Sequence, residues 1–122
     1  MTKEFVKYEQ ALALKELGFD EPCLKMGMSD IDIINTERTD EGDYPKNSHL
    51  FSGWVAIPTY SQAFRWFREK HKLYSPITDN GLGQYDFRIK HEWCGKVYDT
   101  YEEAESACLD KLIEICKTKT ND

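Results

Sequence analysis

The chain has 122 residues, 40% of them hydrophobic and 13% aromatic, the size and composition of one packed globule rather than a disordered segment. Sixteen Lys and Arg against twenty-two Asp and Glu leave a formal net charge of −6. That sign argues against general attraction to nucleic acid or to anionic lipid, while leaving room for a local basic site.

In chain order, Met1-Thr2-Lys3-Glu4-Phe5 has no apolar leader core, and no apolar run approaches membrane-spanning length. The expectation is a protein neither exported by a standard signal nor embedded in a membrane, and so one of the cytoplasm. Three segments then open alike: Tyr8-Glu9-Gln10-Ala11, Tyr60-Ser61-Gln62-Ala63 and Tyr101-Glu102-Glu103-Ala104. Thr59 and Thr100 precede the second and third, and each gives the S/T-x-x-E/Q capping box of a helix start. The first has Lys7 at the cap and is weaker. The segments between do not align, so the recurrence locates helices and does not indicate a solenoid repeat.

The first helix is predicted over 8–17, with Gly18 as its stop. Cys23 to Met28 and Ile31 to Ile34 flank Ser29-Asp30 as a candidate hairpin. Thr36 to Asn47 is an acidic, turn-rich loop. Leu50 to Ile57 is apolar enough for a central strand ending at Pro58. The second helix is predicted over 60–73, with Tyr60, Ala63, Phe64, Phe67, His71 and Tyr74 on its apolar arc and Trp66 and Leu73 at the edge. Ser75 to Gly83 reads as a loop, in which Asn80, Gly81 and Gly83 supply a turn. Tyr85 to His91 alternates, placing Tyr85, Phe87 and Ile89 on one face, and Glu92 to Gly95 would turn it into a strand over 96–98. The third helix is predicted over 101–117, with the stripe Ala104, Cys108, Leu109, Leu112, Ile115 and Cys116. The order α-β-β-β-α-β-β-α predicts a single α+β domain over 1–122, with three helices on an antiparallel sheet of four to five strands.

Cys23, Cys94, Cys108 and Cys116 contain no C-x-x-C pair and no zinc spacing. Cys108 and Cys116 would lie about 12 Å apart along one helix, too far for a disulfide, so all four are expected as reduced thiols. His49, His71 and His91 are scattered, and no nucleophile–base pair or Walker loop is present. Asp30, Asp32, Glu37, Asp40, Glu41 and Asp43 lack the spacing of a calcium loop and read as a solvated surface able to meet a basic partner. No catalytic residue, metal site or cofactor is assigned.

The most site-like feature is basic. Between Thr59 and Tyr98 seven cations face four acids, so that segment is +3 and the remainder −9. Arg65, Arg68 and Lys72 recur at i, i+3, i+7 and would form one stripe able to hold phosphates, although a helix must also solvate its wet face with charges. Trp66 and Leu73, at the edge of the apolar arc, would suit a partner interface or a homodimer.

Residues 8–23, 62–70 and 100–114, in particular Gln62-Ala63-Phe64-Arg65-Trp66-Phe67-Arg68-Glu69-Lys70 and Thr100-Tyr101-Glu102-Glu103-Ala104-Glu105, resemble a group of small uncharacterised proteins encoded by phages and prophages of gut anaerobes. The resemblance implies a phage accessory protein in a bacterial cytoplasm. The expected function is non-enzymatic protein binding, directed at a host or phage protein for takeover or counter-defence. The alternative is a small-ligand or nucleotide-sequestering protein using the basic face of the second helix.

Overall fold

The first helix, α1 (Tyr8–Glu16), ends where Gly18 predicts. Gly18 has φ +99°, the Phe19 N–H donates to the Leu14 carbonyl at 2.9 Å, and the Gly18 N–H donates to Lys15 at 3.0 Å. This is the paired closure that a left-handed residue allows, and the two side chains it brings together, Leu14 and Phe19, are fully buried. At the other end Gln10 accepts from the Lys7 N–H, which serves the weak cap. The computed structural model describes residues 5–38 and 42–120. Contacts divide the chain into two compact units, Met1–Tyr60 and Ser61–Asp122.

In the first unit, strands β1 (Lys25–Gly27) and β2 (Ile33–Asn35) form the predicted hairpin, and β3 (Val55–Ile57) pairs antiparallel with the other side of β1. The order is therefore β2-β1-β3. The long central strand expected over 50–57 shrinks to three residues at a sheet edge. The cause is a turn just before it: Gly53 has φ +92° and the Trp54 N–H closes back on the Phe51 carbonyl. α1 packs on β3, and Val6, Ala11, Leu14, Phe19, Cys23, Val55, Ala56 and Ile57 form the core.

One buried polar side chain ties this unit together. Asn47 opens a short 3-10 turn (Asn47–His49), donates to the Phe19 carbonyl at 2.9 Å and accepts from the Ala56 N–H at 2.8 Å. Ala56 lies between the two β3 residues that bond β1, so its N–H points to the outer edge, and Asn47 occupies that edge. Gly27, at the strand crossing, leaves no room for a side chain. A Cβ there would come within 3.1 Å of Ile33 and Ile57.

The second unit contains α2 (Tyr60–Lys70, of which Tyr60 falls in the first unit), strands β4 (Ile77–Asp79), β5 (Tyr85–Ile89) and β6 (Glu92–Trp93), and α3 (Tyr101–Thr120). The sheet runs β4-β5-β6, all antiparallel. β5 alternates as predicted: Phe87 and Ile89 are buried, Arg88 is exposed, and α3 packs on this strand and on β4. The Thr100 hydroxyl accepts from the Glu103 N–H at 3.1 Å, which is the expected cap of α3. Ala104, Cys108, Leu109, Leu112 and Cys116 are buried as predicted, and Ile113 is more enclosed than Ile115.

The α+β class is present, but the single sheet of four to five strands is not. Six short strands form two three-stranded sheets among the described residues. β4 arises inside the expected 75–83 loop, because Tyr74 and Pro76 carbonyls accept from the Lys90 and Arg88 N–H groups and the chain stays extended. The expected Asn80–Gln84 turn follows it, held by the Asn80 and Asp79 side chains. The strand expected over 96–98 reduces to one bridge, Tyr98 to Tyr85. The turn falls earlier than predicted, at Lys90 and His91, whose φ values of 54° and 72° make a two-residue type I′ connection into β6.

All four cysteines are free thiols. Burial pushes the Cys23 thiol up to about 12, with Glu21 adding to it. Burial does the same at Cys108, also to about 12, although the Ser75 hydroxyl opposes it. No helix among the described residues is long and apolar enough to cross a membrane.

Candidate functional site

The predicted basic stripe does not form. Arg65 and Arg68 stand exposed on α2, but the helix ends at Lys70, and the Phe67 carbonyl accepts from both His71 (3.0 Å) and Leu73 (3.1 Å). Lys72 sits in that closure with φ 59°, off the helix, so it does not continue the i, i+3, i+7 row. Trp66 and Leu73, expected at an accessible edge, are 5% and 1% exposed. Trp66 meets Phe67 and His71 edge to face, at 5.1 and 4.9 Å between ring centroids. Neither residue offers a surface to a partner: Trp66 is packed against its helix neighbours, and the early end of the helix turns Leu73 inward and Tyr74 outward, to 56% exposure.

A different row lines a concavity. Ser61, Phe64 and Arg68, also at i, i+3, i+7, border a hollow of about 310 Å³ whose other wall is Tyr74, Ser75 to Ile77, and Tyr101. Arg68 is the one charged residue in that lining among the described residues. The Tyr101 hydroxyl is pushed above its ordinary range by burial and then by the Glu105 charge, so it remains a neutral donor at physiological pH.

A larger cleft of about 590 Å³ lies between the β5–β6 hairpin and α3. Its floor includes Phe87, Ile89 and Tyr98, with Phe87 and Tyr98 stacked at 6.0 Å. Its rim carries Lys90 and Lys111 against Glu92, Asp110 and Glu114, and Lys111 lies 3.7 Å from Glu114. Nearly balanced charge gives this cleft little sign preference. Cys94 is half-buried at its side, donating its thiol to the Lys96 carbonyl.

The first unit presents a third surface, at β2. The Met28–Asp32 and Thr36–Leu24 hydrogen bonds place even-numbered residues of this hairpin arm toward β1. The N–H and C=O groups of Ile33 and Asn35 therefore point to the open edge, and no residue covers them among those described. All three β2 residues are exposed. Ile31 at the hairpin tip is 85% exposed and Phe51 87%, and the turn at Gly53 adjoins Met28, itself exposed. Asp30, Asp32 and Glu37, all exposed, flank β2 in sequence. Asp40 and Glu41, in the same acidic stretch, lie outside the described residues.

Sequence reasoning placed Tyr74 in the buried arc and gave Ser61 and Tyr101 no role. A stop signal for α2 would have separated them, but the left-handed position is Lys72 rather than glycine. Among the described residues no group of three or more His, Cys, Asp or Glu gathers as metal ligands. No protein family, curated protein or solved structure matches the chain, so its physical surfaces alone point to function.

Proposed function

We propose that the protein is a non-enzymatic binding module that captures an extended segment of another protein along the β2 edge. The supporting observation is the asymmetry of the first sheet. Asn47 blocks the outer amide of β3, whereas among the described residues β2 leaves Ile33 and Asn35 main-chain groups unpaired beside exposed isoleucines. Open edges of this kind are usually covered or carry Lys or Pro, and pairing with an added strand satisfies them. Charge complementarity favours a basic, apolar segment: residues 1–60 hold eleven acids and six Lys and Arg, a net −5. A second copy of the chain would set acid against acid. A phage or host protein in a bacterial cytoplasm, as the resemblance implies, is the proposed class of partner.

The test compares capture from a gut-anaerobe lysate by wild type and by Ile33→Pro. Proline at 33 removes an outward amide and leaves the ladder to β1 intact. The proposal expects a partner retained by wild type and lost by the variant at unchanged melting temperature, with the Ile33 and Asn35 amides protected from hydrogen exchange in the complex. Equal capture by both proteins would place the interface elsewhere.

A further inference from the structure

We propose, independently of the β2 edge, that the hollow along α2 binds a small anion bearing one aromatic ring, the chemistry of a nucleoside monophosphate. Charge sets the sign. Arg68 makes no ion pair or hydrogen bond among the described residues, and no carboxylate shares the lining. Main-chain donors add to it. Tyr74 and Pro76 turn their carbonyls to β5, so the intervening Ser75 and the following Ile77 direct their N–H groups to the free edge of β4, and both residues line the hollow. A guanidinium with two edge amides suits a phosphate, which offers several acceptor oxygens. The walls supply the ring site. Phe64, Tyr74 and Tyr101 all line the hollow, Tyr74 and Tyr101 with substantial exposure, and base–aromatic contact tolerates any base. Size sets the limit. A volume of 310 Å³ is at the low end of the roughly 300–1,000 Å³ of small-molecule sites, enough for one ring and one phosphate but not a dinucleotide. Phe64 and Arg68 lie four residues apart, about 6 Å along the axis at about 1.5 Å per residue, which separates a ring from its phosphate.

Calorimetric titration of the full chain with the four common nucleoside monophosphates, adenosine and inorganic phosphate tests this. At least one nucleotide should saturate with a Kd of roughly 0.1–1 mM, and nucleoside alone and phosphate alone should each bind about tenfold or more weakly. Arg68→Gln should weaken the nucleotide about tenfold or more, the loss of one charge-assisted hydrogen bond, and Tyr74→Ala should weaken it severalfold. Lys72→Gln, a cation outside the hollow, should change affinity less than about twofold. Thermal melts establish that each variant is folded. Three results would overturn the proposal: no saturable binding of any nucleotide at millimolar concentration, equal losses in Arg68→Gln and Lys72→Gln, or inorganic phosphate binding as tightly as a nucleotide. None of them bears on capture at β2, which lies in the other unit.

Discussion

Replacing Asn47 should damage the fold more than any other surface-loop substitution, because its side chain serves two buried backbone groups at once. Asn47→Ala leaves the Phe19 carbonyl and the Ala56 N–H without partners. Each orphaned group costs about 1–3 kcal/mol, so the expected loss is about 2–6 kcal/mol. With a urea slope of about 2 kcal/mol per M, the midpoint should fall by roughly 1–3 M in denaturation followed by circular dichroism. Asn47→Asp separates the two bonds. Its carboxylate can still accept from Ala56, but it faces the Phe19 carbonyl with no proton to donate. The buried acid should therefore titrate above its unfolded value of about 3.9. A group raised on folding contributes stability below the unfolded pKa and loses it as pH rises through the folded one. The Asp variant should accordingly approach wild type near pH 4 and fall away by pH 7. An Ala variant within about 0.5 kcal/mol of wild type, or an Asp variant with the same deficit at every pH, would refute the two-bond account.

Three further outcomes are expected. Phe67, fully buried, should cost about 3–5 kcal/mol as Phe67→Ala in chemical denaturation. The Lys90→Asn and His91→Gly pair should stabilise by about 1 kcal/mol, a few degrees in Tm by calorimetry, because Asn-Gly relieves the positive φ of both turn residues. Asp20 is opposed by partial desolvation, but the Ser48 backbone and hydroxyl, Lys46 and His49 together hold it below its ordinary value of 3.8. Its contribution is thus present above about pH 4 and lost as pH falls through the lower folded pKa, so Asp20→Asn should reduce stability at pH 7 and converge on wild type in strong acid, read from paired melts across pH.

The helices were legible because their signals are local. Gly18 and Thr100 act within five residues of themselves, and the stripe of α3 follows from spacing alone. β5 was legible for the same reason, since alternation over five residues needs no partner. Strand pairing was not, because it depends on which distant edges remain available. Asn47 illustrates the difficulty: an asparagine in a polar, turn-rich stretch carries no mark that it will cover Ala56 nine residues on. β4 was hidden by Pro76, Thr78 and Asp79, which read as loop, yet Thr78 and Trp93 both donate to Asp86 and bind the strand across the sheet. The α2 hollow depended on a single error. Extending the helix past Lys70 kept Lys72 in the stripe and turned Tyr74 inward, so the row that borders the hollow was passed over.

The thiols divide the protein into inert and reactive sulfur. Cys23 and Cys108 are enclosed and hold their protons up to about 12, and Cys116 is 1% exposed, so none presents a thiolate to reagents near neutrality. Cys94 is the one thiol that is not fully buried, at the side of the cleft beneath the β5–β6 hairpin. A maleimide fluorophore or nitroxide added at neutral pH should therefore attach to a single native position. That position reports on the hairpin and on α3 without any engineered cysteine, and it leaves both proposed binding surfaces unmodified.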